Sequence, residues 1–112
     1  LYPANAAYYS NLGTSLQAAG RLDEAVSVYR RAIQLNPLLA GAHNNLGNAL
    51  KTLGALDEAI GSYQRAIELA ADFAEAYNNL GTAWKEQGCL GMARHVARAS
   101  GVRRLPAVDR VF

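Results

Sequence analysis

One pattern in this chain limits its fold more than any other: the same letters return every 34 residues. Asn11-Leu12-Gly13, Asn45-Leu46-Gly47 and Asn79-Leu80-Gly81 keep that interval, and so do Ala25, Ala59 and Ala93, and Gly20, Gly54 and Gly88. A fixed period of this length marks stacked supersecondary units rather than one globular core. Such a unit cannot bury its apolar side alone, so it is stable only against its neighbours.

Within a unit the apolar spacing is helical. Tyr9, Leu12, Gly13 and Leu16 fall at i, i+3, i+4 and i+7, one face of a helix with about 3.6 residues per turn. Leu22, Ala25, Tyr29 and Ala32 trace a second face. Gly20 lies between them, where a glycine in the left-handed conformation ends a helix. Asp23-Glu24, repeated as Asp57-Glu58, then puts negative charge where the dipole of a new helix favours it. That position explains the acid pairs without catalysis. The unit reads as helix A, tight turn, helix B, with first helices over about 6–19 and 22–35 and second ones over about 40–53 and 56–69.

These residues resemble the tetratricopeptide repeat, a 34-residue helix pair with an aromatic-x-x-Leu-Gly run, then Ala-x-x-x-aromatic, then Pro. Copy one reads Tyr9, Leu12-Gly13, Leu16, Ala25, Tyr29, Ala32, Pro37; copy two reads His43, Leu46-Gly47, Leu50, Ala59, Tyr63, Ala66, with Ala71 for the proline. Copy three opens with Tyr77, Leu80-Gly81 and Trp84 and reaches Ala93. The resemblance implies an all-α solenoid of antiparallel helix pairs, a right-handed superhelix of about three repeats. Its units are residues 6–39, 40–73 and 74–102. The run NNLGNALKTLG, residues 44–54, is similar to repeats of O-linked N-acetylglucosamine transferase, whose superhelix holds extended peptide.

The boundaries carry further expectations. Residues 1–5 read as the remnant of a preceding repeat, which leaves a face of the first helix A, with Tyr8 and Tyr9, open to a partner or a second copy. Pro37 fixes the first corner, while Ala70-Ala71-Asp72 lets the second helix B run slightly longer. In the third unit Gly91-Met92 stands where Asp-Glu stood and Ala97 where Tyr29 and Tyr63 stood. A degenerate helix B is expected over about 90–100, and residues 103–112 form a tail or short cap.

Composition excludes several classes. No apolar run reaches the roughly 20 residues of a membrane span. The lone cysteine, Cys89, allows no internal disulfide and fits a reducing, cytoplasmic compartment; it is expected as a partly exposed thiol without a catalytic partner. Residues 89–112 hold five arginines against Asp109, but no aromatic platform accompanies them, which disfavours nucleic acid. There is no His pair at metal spacing, no phosphate-binding glycine loop and no nucleophile with a base. His43 fills an aromatic core slot. No enzyme activity, cofactor or metal is implied.

What remains is a surface for a protein or peptide. Once the aromatic, Leu and Gly slots of helix A are buried, helical geometry sends another stripe outward. The resemblance implies that this stripe lines a concave groove: Asn11 and Thr14, then Asn44, Asn45, Asn48 and Lys51, then Asn78, Asn79, Thr82 and Lys85. Amides supply a donor and an acceptor, which suits a peptide backbone. The ladder Asn11, Asn45, Asn79 has an equally simple alternative, a bond to a neighbouring helix. The two-carboxylate clamp of some family members is a poor match, since its slots hold Ser10, Thr14, Asn45, Glu75 and Asn79, and Glu75 repels a carboxylate. A second function class is a self-associating scaffold that stacks or exchanges helices through uncapped ends. A weaker third is the substrate-holding part of a larger glycosyltransferase.

Overall fold

The computed structural model describes the backbone of residues 5–102 and the side-chain surroundings of residues 5–88. Among these residues there are five helices and no strand: α1 Ala6–Ala18, α2 Leu22–Leu35, α3 Ala40–Thr52, α4 Leu56–Leu69 and α5 Ala74–Val102. Four of them pair as expected, α1 with α2 and α3 with α4, and each hairpin packs on the next. The chain is an all-α repeat solenoid of about three repeats.

The local causes repeat with the sequence. Gly20 and Gly54 take φ of +81° and +89°, the left-handed conformation that costs a residue with a Cβ about 1–2 kcal/mol. Asp23-Glu24 and Asp57-Glu58 occupy the first turns of α2 and α4. At α1 the Asn5 side chain accepts from the Tyr8 N–H at 3.2 Å, capping the helix. The core is a ribbon in which alanines pack among Leu46, Leu50, Ile60, Leu80 and two tyrosines. Ala25, Ala32, Ala59 and Ala66 are fully buried, and so are Tyr29 and Tyr63. Burying one such ring contributes about 1.5–3 kcal/mol.

Two expectations need correction. Helix α4 does not run on without its proline: it ends at Leu69, and Ala70 takes φ −143° and ψ 92°, beside −147° and 94° at Asn36. Tertiary packing sets this corner: Ala42 and Ala76 just beyond the two corners are both buried, and α3 and α5 pack on the helix before each corner. The second concerns the third unit. No turn interrupts it at Gly88, and α5 continues as one 29-residue helix.

The hairpins explain why. Tyr29 and Tyr63 lie on Gly13 and Gly47, and these rings hold each helix B against its helix A. In the third unit the tyrosine slot is Ala97, and nothing stands within 4 Å of a Cβ built on Gly81. The acid pair that opens a new helix is also missing. Extending a helix adds a hydrogen bond per residue, whereas starting one pays the nucleation cost again. The preceding-repeat remnant (apart from Asn5), the exposure of the Cys89 thiol and the 103–112 tail lie outside the described residues.

Candidate functional site

The A helices form one continuous wall, since α3 touches both α1 and α5. The B helices stand further apart, with a furrow of about 480 Å³ between α2 and α4, floored by Leu46 and Leu50 of α3. The wall is therefore where polar side chains of successive repeats come close enough to act on one extended ligand.

The stripe is not uniform. Asn11, Thr14, Asn78, Thr82 and Lys85 are exposed, while Asn45, Asn48, Lys51 and Asn79 are half-buried. Asn44 departs from the expected set, being 1 % exposed. Its Oδ1 accepts from Asn79 Nδ2 at 3.1 Å, so it belongs to the packing between α3 and α5 and is no open groove residue. A spacing of 35 residues, one period plus one, was the sequence signal for this contact. For Asn79 at least, the bond to a neighbouring helix is real.

The tyrosines that lock the hairpins also reach the wall. Tyr63 OH donates to Asn48 Oδ1 at 2.6 Å. Tyr29 OH donates to Gln17 Oε1 at 2.9 Å and lies 3.1 Å from Thr14 Oγ1. Asn48 and Thr14 are equivalent positions, so each wall is braced from behind by the phenol of its own repeat. In the third unit Thr82 Oγ1 donates to Asn78 O of its own helix at 3.0 Å, as Thr14 Oγ1 does to Ser10 O at 3.2 Å. Burial raises the Tyr29 phenol above its ordinary range, and the Thr14 bond opposes that shift. Tyr63 is pushed up to about 12, by burial first and then by the Glu86 and Glu75 carboxylates. Those two carboxylates therefore stand near the α5 end of the wall, where Lys85 is also exposed.

Elsewhere the side chains have structural uses. His43 is buried, with Nε2 3.0 Å from Pro37 O, a bond that ties α3 to the corner before it. Tyr8 and Tyr9 meet edge to face with centroids 5.2 Å apart, and the Arg31 guanidinium lies 6.0 Å over the Tyr9 ring. Among the described residues, no three or more His, Cys, Asp or Glu side chains are placed to hold a metal. None of the described helices is long and apolar enough to cross a membrane.

Comparison with known proteins agrees with this architecture. A family model described as tetratricopeptide repeat matches residues 10–72. Two crystal structures of MamA superpose with a TM-score of 0.75 at 30% identity over 77% of this chain. The chain covers 50% and 47% of those two, about half their length. The first TPR of Spaghetti (RPAP3), bound to the HSP90 peptide SRMEEVD, gives a TM-score of 0.75 at 27% identity, covering 77% of this chain and 68% of that one. No curated protein matches the sequence.

Proposed function

Because the chain belongs to the tetratricopeptide repeat family, we propose that it is a non-enzymatic interaction module that takes an extended peptide along the wall of α1, α3 and α5. One observation carries this reading: three touching helices present amides and hydroxyls in register, from Asn11 and Thr14 through Asn45 and Asn48 to Asn78, Asn79 and Thr82. Such groups pair with peptide N–H and C=O groups and leave side chains unread. This is the mode that the likeness to O-linked N-acetylglucosamine transferase repeats suggests. The peptide differs from the acidic one held by the Spaghetti domain, because Glu75 and Glu86 outnumber Lys85 at the α5 end. A neutral or basic peptide fits that balance, with Lys51 and Lys85 at its edge.

The test is a titration with neutral, basic and acidic peptides followed by amide NMR. Shifts should gather on α1, α3 and α5, with the acidic peptide weakest. Binding undiminished in Asn45→Ala, or shifts confined to α2 and α4, would remove the wall from the account. The lone cysteine supports a reducing, cytoplasmic setting.

A second reading, self-association, is favoured by Tyr8. It occupies the slot of Ala42 and Ala76, which are 1% and 0% exposed, yet is itself 44% exposed. An apolar slot that is covered in two units and open in a third suits a second surface.

A further inference from the structure

The furrow between the B helices recurs one period later, with a wall missing. Its first copy has a floor of Arg30, Ile33 and Gln34 from α2 and His43, Leu46 and Leu50 from α3, and α4 closes it with Glu58, Gly61, Ser62 and Arg65. Adding 34 to the floor positions gives Gln64, Ile67, Glu68, Tyr77, Leu80 and Trp84, and these residues line a groove of about 420 Å³. The positions that would close it are Met92, His95, Val96 and Ala99. They are in the second half of α5, which runs straight on from the floor and does not turn back over it. Tyr77 and Trp84 are left 50% and 51% exposed, while Leu80 beside them is 6% exposed.

Floor and missing wall changed character together. Where His43 and Leu50 stand in the first furrow, the second has Tyr77 and Trp84; where Glu58, Ser62 and Arg65 stand in the first wall, the second has Met92, Val96 and Ala99. Apart from His95 in the slot of Gly61, a polar wall became an apolar one, and the α5 side of the floor gained two aromatic rings. Charge agrees as well: Glu68 lines the seat, whereas residues 89–102 carry Arg94 and Arg98 and no acid. The seat is thus the next step of an interface already filled once in this chain, and residues 89–102 are matched to it.

We propose that the occupant is a second copy of this chain, in a two-fold dimer that exchanges the halves of α5. Residues 74–88 of one copy lie antiparallel to residues 89–102 of the other, with the axis near Gly88. Each copy thereby regains across the axis the A-to-B contact that its own straight helix gives up, and one exchange fills both seats. An isologous arrangement of this kind closes on itself and stops at two.

Trp84 is the sole tryptophan and sits on the seat, so its emission reports occupancy. Across a concentration series, the solution mass should rise twofold from 12.0 kDa, and Trp84 emission should shift to the blue in step with it. Leu90→Pro puts a proline at the first position of a B helix, where it is favoured, and inside α5, where it breaks the helix. That variant should lose the dimer and stay at the monomer mass. Tyr8→Glu should leave the dimer unchanged. A monomer mass at every concentration overturns the proposal, and blue emission in that monomer would mean that the chain closes its own seat. A dimer without the Trp84 shift, or one abolished by Tyr8→Glu and kept by Leu90→Pro, also overturns it. The wild-type dilution decides the matter even if Leu90→Pro does not fold.

Discussion

The Tyr63 ring rests on Gly47 so closely that a Cβ at that glycine would fall 2.6 Å from Cε1 and 2.8 Å from Cδ1. Because Tyr63 is fully buried, the ring has no room to retreat. Gly47→Ala should therefore cost about 1–3 kcal/mol, the range for overpacking a tight core. Gly81 is the matched control, exposed and with nothing near its Cβ. Gly81→Ala should be neutral or gain up to about 1 kcal/mol of helix propensity. Urea denaturation of both variants checks the pair, and equal effects would contradict the packing described.

The phenol oxygens make a smaller contribution. Tyr63→Phe keeps the ring on Gly47 and deletes the bond to Asn48. Asn48 is half-buried, so water can replace the lost partner, and the expected cost is about 0.5–1.5 kcal/mol. Tyr63→Ala, which empties the slot, should cost about 3–5 kcal/mol, as for other buried aromatics. Thermal and urea unfolding followed by circular dichroism separate the two.

Between the second and third units, Asn79→Ala should exceed an ordinary surface substitution. It leaves the Asn44 amide oxygen, 1 % exposed, without the donor it has at 3.1 Å. Stranding a buried acceptor costs about 1–3 kcal/mol. Asn78→Ala, on an exposed neighbour, should stay within about 0.5 kcal/mol. Chemical denaturation of the two single variants provides the comparison.

Stability should fall in alkali. The Tyr63 phenol loses its proton near 10 in the unfolded chain and near 12 in the folded one, so the unfolded state is favoured once the pH passes 10. The contribution is intact below pH 10 and is lost as the pH rises towards 12, with a slope of at most about 1.4 kcal/mol per pH unit for one such group. Tyr29 is shifted in the same direction and adds to the effect. Urea midpoints between pH 9 and 12 measure it, and Tyr63→Phe should flatten the curve.

The ion pair between repeats should matter little. Arg30 Nη2 lies 2.9 Å from Glu58 Oε2, with the two side chains 53% and 61% exposed. A solvated pair of this kind is worth about 0.2–1 kcal/mol and fades with salt. A double-mutant cycle on Arg30→Ala and Glu58→Ala at low and high ionic strength should show that decline.

Much of this architecture was legible in the letters because it is written more than once. The left-handed Gly20 and Gly54, the acid pairs and the buried tyrosines each follow from one local rule applied at two positions. The sequence misled where a rule was used singly. Gly88 looks like a turn, but a glycine only permits a left-handed bend; without a tyrosine to settle on Gly81, the helix has no reason to use it. Ala70-Ala71 looks like a looser corner than Asn36-Pro37, yet packing beyond the corner sets the same backbone. For the candidate site, periodicity placed the stripe on the A helices but could not divide it by depth. Asn44 and Asn45 are neighbours of identical type, and only the approach of α5 makes the first a buried acceptor.

The bond from Asn79 to Asn44 also holds the third A helix close to the second. Packed helices are spaced by about 8–10 Å, and an extended strand advances about 3.3 Å per residue. A chain threaded across the wall would therefore meet an equivalent amide at roughly every third residue, so the spacing of the helices imposes a triplet reading frame on whatever lies against them.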